Sequence, residues 1–310
     1  MRVLFAGTPQ AALPALQALL DSPRHDVVGV LTRPDAPAGR GRKLSRAPVA
    51  ELAEEHGLPV HQPRRPSHDD FPATLEELAV DAVPVVAYGA LIPASLLLVP
   101  RFGWINLHFS VLPAWRGAAP VQHAILAGDE ITGACSFLIE EGLDTGPVFG
   151  VTTEAIRSTD TAGDLLDRLS IAGAGLLTAT LDALDDGEIA PRPQPEDGVS
   201  LAPKITVDDA RIDFTQPAAA VDRRIRACTP APGAWTQWRG ARLKLGPVRI
   251  SAAPAGEIPP GSVAVDGRTV LVGTASRPVA LGTVQRAGRT PVPASDWVRG
   301  ARPDAGEKLG

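Results

Sequence analysis

Residues 104–117 read WINLHFSVLPAWRG, and this stretch decides how the rest of the chain is interpreted. It continues an apolar run, GWINLH at 103–108, of the kind that forms a buried β-strand. Asn106 and His108 stand two residues apart in that run, and alternate side chains of a strand point to one face. The sequence therefore predicts two polar side chains at the end of one strand, facing the same place and followed at once by a loop.

Short apolar runs alternate with helical patterns on both sides of this strand. Strands are predicted at 2–6, 26–32 and 83–88, with helices between them. Thr8 is expected to cap the first helix, with Pro9 in its first turn. This alternation favours βαβ units and a parallel sheet, so the predicted fold class is α/β. Ligands of such sheets bind beyond the C-terminal ends of the strands, which is where the two polar side chains are predicted.

The composition changes after residue 188. Residues 189–206 are rich in proline and charge, as linkers are. Beyond them, short apolar runs with turn signals, such as Asp266-Gly267, predict a small β-barrel with one helix near 217–227. The predicted division is a first domain at 1–188, a linker at 189–206 and a second domain at 207–310.

The composition is that of a globular protein, with 310 residues of which 44% are apolar and 21% charged. Cys135 and Cys228 are too few for a disulfide framework or a cysteine-rich metal site, so we expect buried, inert thiols in a reducing cytoplasm. No spacing of histidine, cysteine and carboxylate predicts a metal, and no apolar run has the length of a membrane span.

The charge is distributed unevenly along the chain. Residues 1–206 carry 15 Lys+Arg and 26 Asp+Glu, a net charge of −11, whereas residues 207–310 carry 15 and 9, a net charge of +6. A basic second domain favours a polyanionic partner, although a solvated basic face would give the same counts.

A third polar group lies in the turn between two strands predicted at 132–140 and 146–154. This group is Asp144, and we expect the glycines at 142 and 146 to provide the backbone angles of its turn. An asparagine amide and a neutral imidazole suit the stabilisation of a developing oxyanion, and a nearby carboxylate can orient the imidazole or accept a proton. Taken alone, the pair on the strand fits at least as well a polar strand end that bonds to its own loop.

Two loops add candidate ligand contacts. The loop 110–113 offers an apolar wall for a flat ring system, and Arg116 after it would serve an anion or pair with a surface carboxylate. The loop 32–44 carries four basic residues beside glycines, which suits a phosphate backbone and equally a solvated loop. The segment FAGTP at 5–9 lacks the three-glycine dinucleotide fingerprint, so NAD is not predicted.

Taken together in their order and spacing, five segments resemble the methionyl-tRNA formyltransferase family. They are FAGTP (5–9), PDAPAGRGRKL (34–44), VVAYG (85–89), INLHFSVLPAWRGAAP (105–120) and GLDTG (142–146). The similarity continues through RIDF (211–214) and RIRACTPAPGAW (224–235), so it covers nearly the whole chain.

The resemblance implies a Rossmann-like formyltransferase domain with a mostly parallel sheet, followed by an OB-like tRNA-binding barrel. It implies transfer of the formyl group of 10-formyltetrahydrofolate to the α-amino group of methionyl initiator tRNA, for translation initiation in the cytoplasm. It implies initiator tRNA and folate as partners, and no metal, membrane or obligate protein partner.

The resemblance also implies residue roles. Asn106 and His108 would donate to the formyl oxygen, and Asp144 would hold His108 and help to remove the proton of the amine. The folate-contact loop falls on Ser110, Val111, Leu112 and Pro113. The tRNA contacts fall on Arg33, Arg40, Arg42, Lys43 and Lys204.

Some residues depart from the family pattern, and other functions stay open. Phe109 stands where glycine is common, Val111 replaces a leucine, and Gln10 stands where an acidic residue is common. A formyl-folate transformylase of a small amine, either a sugar nucleotide or glycinamide ribonucleotide, would share the catalytic trio. The sugar-nucleotide type departs from the GLDTG and PAGRG patterns, and the other type lacks a C-terminal barrel. A non-catalytic RNA-binding protein would not need the trio.

Overall fold

The structure is a computed structural model that describes residues 1–38, 43–67, 70–254, 256–304 and 306–310. Its contacts divide the chain into two compact units. The first unit comprises Met1–Pro120, Ile131–Ala155 and Leu166–Leu201, and the second comprises Val121–Glu130, Ile156–Leu165 and Ala202–Gly310. Two segments that precede residue 188 thus group with the C-terminal residues, a feature to which no sequence pattern points.

The first unit is built on one seven-stranded sheet. Its strands are β1 (Arg2–Gly7), β2 (Asp26–Leu31), β5 (Val60–His61), β6 (Val83–Val86), β7 (Trp104–His108), β8 (Ile131–Leu138) and β9 (Val148–Ala155), and a separate hairpin comprises β3 (Ala36–Ala38) and β4 (Lys43–Ser45). The strand order is β5-β2-β1-β6-β7-β8-β9, parallel from β5 to β7 and antiparallel through β8 and β9. The mostly parallel α/β sheet expected from the sequence is confirmed.

Helices follow the strands of this part of the chain. They are α1 (Leu13–Leu20), α2 (Pro48–Glu55), α3 (Phe71–Leu78), α4 (Ala94–Leu97), α5 (Pro120–Ala127) and α6 (Ala162–Asp185). The apolar run of β6 is buried at all four residues, as expected for a central parallel strand covered on both faces. β9, at the edge of the sheet, instead alternates between exposed and partly buried residues along its second half.

Thr8 does not cap the first helix, contrary to the prediction. Its hydroxyl donates to the carbonyl of Tyr88 at 2.9 Å. A short 3-10 turn at Gln10–Ala12 comes before α1, and Ala12 occupies the N-cap position. The extra turn moves the start of the helix away from Thr8, so the threonine is used to join the ends of β1 and β6.

The residues of the second unit from Ala202 onward form the C-terminal strands and the last helices of the chain. They are β10 (Trp235–Trp238), β11 (Ala241–Leu245), β12 (Val248–Ile250), β13 (Val263–Asp266), β14 (Thr269–Val272), β15 (Val279–Leu281), β16 (Thr283–Arg286), β17 (Val292–Pro293), α7 (Ala218–Ala227) and α8 (Ala294–Ala301). The strands form two antiparallel sheets, ordered β10-β11-β16-β17 and β12-β15-β14-β13. The hairpin predicted at Asp266-Gly267 joins β13 to β14, and the predicted helix corresponds to α7. The sequence predicted a small, OB-like β-barrel here, and the structure confirms a C-terminal antiparallel β domain, built of these two sheets.

Within the described ranges, no helix is both long and apolar enough to pass through a bilayer.

Candidate active site

β7 carries the two polar side chains that the sequence singled out. It lies between β6, to which it is parallel, and β8, to which it is antiparallel. Leu107, on the opposite face of β7, packs closely against α6, where a Cβ on Gly173 would lie 2.8 Å from the Leu107 Cδ2 atom. This packing fixes the strand, and it leaves Asn106 half-buried and His108 buried on the other face.

His108 is held in one tautomer by the loop that follows β7. Its Nε2 atom lies 2.9 Å from the carbonyl oxygen of Trp115. A carbonyl oxygen only accepts hydrogen bonds, so in the neutral ring Nε2 carries the proton and Nδ1 is an acceptor. Burial lowers the pKa of His108, although the Asp144 carboxylate and the Trp115 carbonyl both act to raise it. The imidazole is therefore neutral near pH 7, with Nδ1 as its unprotonated nitrogen.

Asp144 faces that unprotonated nitrogen. Its Oδ2 atom lies 3.7 Å from His108 Nδ1, which is too long for a direct hydrogen bond. The same oxygen accepts the backbone N–H of Gly117 at 2.7 Å. Two acceptors that face each other at this distance suit a donor group placed beside both, such as the N–H of an amine.

The turn that carries Asp144 differs from the prediction in one respect. The left-handed backbone angle falls on Asp144 itself, with φ +50°, whereas neither flanking glycine has a positive φ. Gly146 is required for a different reason, because a Cβ there would lie 1.7 Å from the carbonyl oxygen of Leu138. A close approach between backbone segments therefore selects glycine at this position.

The predicted folate-contact loop forms a mostly apolar wall. Leu112 is buried against Cys135 and Phe137, and Val111 packs over Gly133 on β8. The hydroxyl of Ser110 donates to the carbonyl of Ala114 at 2.6 Å, so this side chain shapes the loop. The peptide bond that leads into Pro113 is cis.

Both cysteines are buried free thiols, as expected. Burial raises the pKa of Cys135 to about 12, and it also raises the pKa of Cys228. Although Cys135 pairs with His108 across β7 and β8, its thiol stays protonated and takes no part as a nucleophile.

The predicted tRNA contacts are only partly within the described residues. Arg40 and Arg42 lie outside them, as does the side chain of Lys43. Arg33 is half-buried at the base of its loop, where it donates to the carbonyl of Arg64 at 3.0 Å. Lys204 is exposed.

Sequence reasoning missed several residues that support the site. The Arg116 guanidinium donates to the side-chain oxygen of Gln194 at 2.6 and 3.1 Å, so its partner is an amide where an anion or a surface carboxylate was expected. The hydroxyl of Ser200 accepts the backbone N–H of Trp115 at 2.9 Å. Gln194 and Ser200 lie in the stretch interpreted as a linker, where no periodicity marks them as part of a site.

The second unit carries arginines stacked on tryptophans. Arg242 and Arg211 lie 4.1 and 5.8 Å from the ring centre of Trp235, and Arg239 lies 4.5 Å from that of Trp238. Stacking of this kind orders a cationic side chain without neutralising it, although Arg239 is also paired with the Glu307 carboxylate at 2.8 and 2.9 Å. Some of the basic residues of this region are therefore held in fixed positions by the tryptophan rings on which they stack.

Comparison with known proteins shows the class of enzyme to which the chain belongs. The formyl transferase profile matches residues 1–181, and the formyl transferase C-terminal domain profile matches residues 204–302. These matches, together with the fold and the convergent polar groups, define the protein as a formyl transferase. The methionyl-tRNA formyltransferase of Parafrankia sp. (strain EAN1pec) is 61% identical over 308 residues, which is 99% of each chain. The chain belongs to the methionyl-tRNA formyltransferase family.

Solved structures share the fold at lower identity. The sugar 3N-formyl transferase WlaRD, determined in the presence of dTDP and 5-N-formyl-THF, gives a TM-score of 0.67 at 16% identity, covering 94% of this chain and 99% of that one. HypX from Aquifex aeolicus, in complex with tetrahydrofolic acid, gives a TM-score of 0.64 at 19% identity, covering 96% of this chain and 47% of that longer one.

Proposed function

We propose that this protein transfers the formyl group of 10-formyltetrahydrofolate to the α-amino group of methionyl initiator tRNA, for translation initiation in the cytoplasm. The observation that carries the proposal is the approach of His108 Nδ1 to Asp144 Oδ2, at 3.7 Å, beside the strand end that also bears Asn106. This arrangement occurs in a chain that is 61% identical to a methionyl-tRNA formyltransferase.

His108 and Asp144 act first on the amine. An α-amino group must lose its proton before its nitrogen lone pair attacks a formyl carbon. His108 Nδ1 and Asp144 Oδ2 both accept, so the amine proton passes to this pair. The Trp115 carbonyl keeps the ring oriented while the imidazole becomes an imidazolium.

Asn106 then acts on the formyl oxygen, where negative charge develops as the new C–N bond forms. Its amide N–H and the newly protonated Nδ1 of His108 donate to that oxygen. His108 can therefore serve as the oxyanion donor that the family resemblance implies, once it has taken the proton of the amine. Asp144 stabilises the imidazolium and accepts the second proton, which the attacking nitrogen loses once the new C–N bond has formed. As the tetrahedral centre collapses, the bond between the formyl carbon and the folate nitrogen breaks, and that nitrogen leaves with the proton of the His108 imidazolium. Asp144 then releases its proton to solvent.

The loop after β7 would hold the formyl donor. The apolar wall of Val111, Leu112 and Pro113 fits a flat ring, and Ser110 closes the loop behind it. A bound 10-formyltetrahydrofolate supplies an activated formyl carbon. The folate compounds named in the two solved structures support a folate-derived donor.

The basic residues would hold the tRNA. Arg33, Arg40, Arg42, Lys43 and Lys204, with Arg211 and Arg242 stacked on Trp235, are proposed to contact the phosphate backbone. Contacts of this kind release counterions, so the affinity for tRNA should fall steeply as salt is raised. An affinity that does not respond to salt would exclude this role for the basic residues.

The proposal is tested by offering several amines with 10-formyltetrahydrofolate. Methionyl initiator tRNA, methionyl elongator tRNA, glycinamide ribonucleotide and an amino-sugar nucleotide are compared by transfer of a radiolabelled formyl group. We expect rapid transfer to methionyl initiator tRNA alone. Faster transfer to either small amine would overturn the proposed substrate and leave the chemistry of the site intact.

A further inference from the structure

The segment before residue 201 supplies a side chain that fastens the Asp144 turn. We propose that Gln194 is a positioning residue, which holds this turn so that the Asp144 carboxylate faces His108. The inference rests on the proposed role of Asp144 in accepting the proton of the amine.

Gln194 bonds directly to the backbone of the turn. Its side-chain N–H₂ group donates to the carbonyl of Asp144 at 2.8 Å and to the carbonyl of Gly146 at 2.8 Å. Both amide hydrogens are thereby committed to the turn. They hold its backbone on either side of Thr145, and one of them binds the carbonyl of Asp144, the residue that has the left-handed φ of +50°.

The other end of the same amide is anchored as well. The Gln194 side-chain oxygen accepts two bonds from the Arg116 guanidinium, at 2.6 and 3.1 Å. The next residue along the chain, Gly117, donates its backbone N–H to Asp144 Oδ2 at 2.7 Å. Gln194, anchored through Arg116 to the loop after β7, thus fixes the backbone of the turn, and Gly117 of that loop fixes its carboxylate.

This loop also orients His108. The carbonyl of Trp115 accepts from His108 Nε2, and the backbone N–H of Arg116 donates to the carbonyl of Ser200 at 2.9 Å. The distance between His108 Nδ1 and Asp144 Oδ2 is therefore set by the loop after β7, which Gln194 joins to the Asp144 turn.

Only a glutamine satisfies both ends of this arrangement. Glutamate keeps the acceptor for Arg116 but, when ionised, loses both donors and sets a negative charge against two carbonyl oxygens. Methionine keeps the length of the side chain and loses every bond. Gln194 lines an open cavity of about 610 Å³ with Arg116 and Thr145, so neither replacement requires the core to repack.

The experiment compares Gln194→Met and Gln194→Glu with wild type in formyl transfer to methionyl initiator tRNA. Loss of two neutral hydrogen bonds predicts a fall in kcat of about tenfold for Gln194→Met, with the KM values for tRNA and formyl donor nearly unchanged. For Gln194→Glu we expect part of the kcat to return at acidic pH, where the new carboxyl group regains a donor. The matched control is Gln17→Met, which removes an amide that donates to Asp21 on the surface of α1, and it should behave as wild type.

A double-mutant cycle with Asp144→Asn identifies the route of the effect. If Gln194 acts through Asp144, Gln194→Met adds little to the loss already caused by Asp144→Asn. A Gln194→Met enzyme with the kcat of wild type, or an independent tenfold loss in the Asp144→Asn background, would overturn the inference. An Asp144→Asn enzyme with full turnover would instead remove the proposed role of Asp144, so the two failures are distinguishable.

Discussion

Asn106 and His108 are held by a strand, whereas Asp144 is held by a turn, and the two supports differ in how they work. β7 is bonded on both edges by neighbouring strands, and its opposite face packs on α6, so its side chains point where the strand directs them. The Asp144 turn is an excursion between β8 and β9 with a left-handed residue at its centre. It keeps its position through bonds that come from residues distant in sequence.

The difference shows that one site can combine two kinds of positioning. The strand supplies direction through regular alternation, and its stability is that of the whole sheet. The turn supplies a carboxylate at a point that no strand reaches, and it depends on a few specific contacts. Replacing a polar side chain on the strand should therefore change the rate of the reaction alone. Replacing a residue that supports the turn should both displace the Asp144 carboxylate and lower the stability of the fold.

The largest effect is expected from Asp144→Asn. The amide oxygen can still accept the N–H of Gly117, so the turn should keep its shape while the proton acceptor is lost. Removal of a general base predicts a fall in kcat of about 10²–10⁴-fold, with the thermal midpoint unchanged. Steady-state formyl transfer and thermal unfolding measure both quantities, and Asp21→Asn on the surface of α1 is the control. Wild-type turnover would show that the turn-borne carboxylate is not part of the chemistry.

Asn106→Ala tests the strand-borne donor. Loss of one oxyanion donor costs about 3 kcal/mol, or ~100-fold in kcat. Asn106 is half-buried at the strand end, so folding should not change. Single-turnover rates with saturating formyl donor measure the loss, and circular dichroism checks the fold. If the rate fell less than a few-fold, the oxyanion role of the strand-borne amide would be wrong.

Gly146→Ala tests the support of the turn. A Cβ at this position would overlap the carbonyl of Leu138, so the turn must shift. Overpacking of this kind predicts a loss of about 1–3 kcal/mol in the free energy of unfolding, together with lower kcat. The matched control is Gly175→Ala on the exposed side of α6, where nothing lies within 4 Å of the added atom. That change should instead stabilise the protein by about 0.5–1 kcal/mol, because glycine is a poor helix former. Urea unfolding measures the free energy of unfolding of both variants. Equal values for the two would contradict the role of Gly146 in supporting the turn.

The smallest effect concerns pH. Burial lowers the pKa of His25, His61 and His108 below that of a free histidine. Below the ordinary histidine pKa of about 6.5, the unfolded chain therefore binds more protons than the folded chain. The free energy of unfolding should fall as pH is lowered through this range and recover above it.

The variant His61→Phe sharpens the pH prediction. It keeps an aromatic ring beside Phe71, 6.2 Å away, and removes one of the three histidines whose pKa burial lowers. Its free energy of unfolding should depend less on pH than that of wild type. A wild-type stability that rises on acidification would contradict the expected loss of stability.

The residues of β7 show how far sequence patterns reach. The apolar run with polar residues at alternate positions was sufficient to place Asn106 and His108 on one face, because the geometry of a strand is fixed by its own backbone. The predicted hairpin at Asp266-Gly267 was confirmed for the same reason, since its two strands pair through a short local turn. The capping role of Thr8 was wrong because an extra turn of backbone follows Pro9, and local propensity does not exclude it.

The sequence by itself determined the α/β class, the C-terminal antiparallel β domain and the pair of polar groups at a strand end. These features depend on periodicity and composition, which are local properties of the chain. Only the tertiary structure decided that Asp144 faces His108, that Trp115 fixes the imidazole tautomer, and that Gln194 belongs with the site. Asp144 and Gln194 meet their partners from segments that are far apart in the chain, and the Trp115 contact depends on how the loop after β7 folds back on that strand. The geometry of all three contacts therefore exists only once the sheet and its loops have assembled.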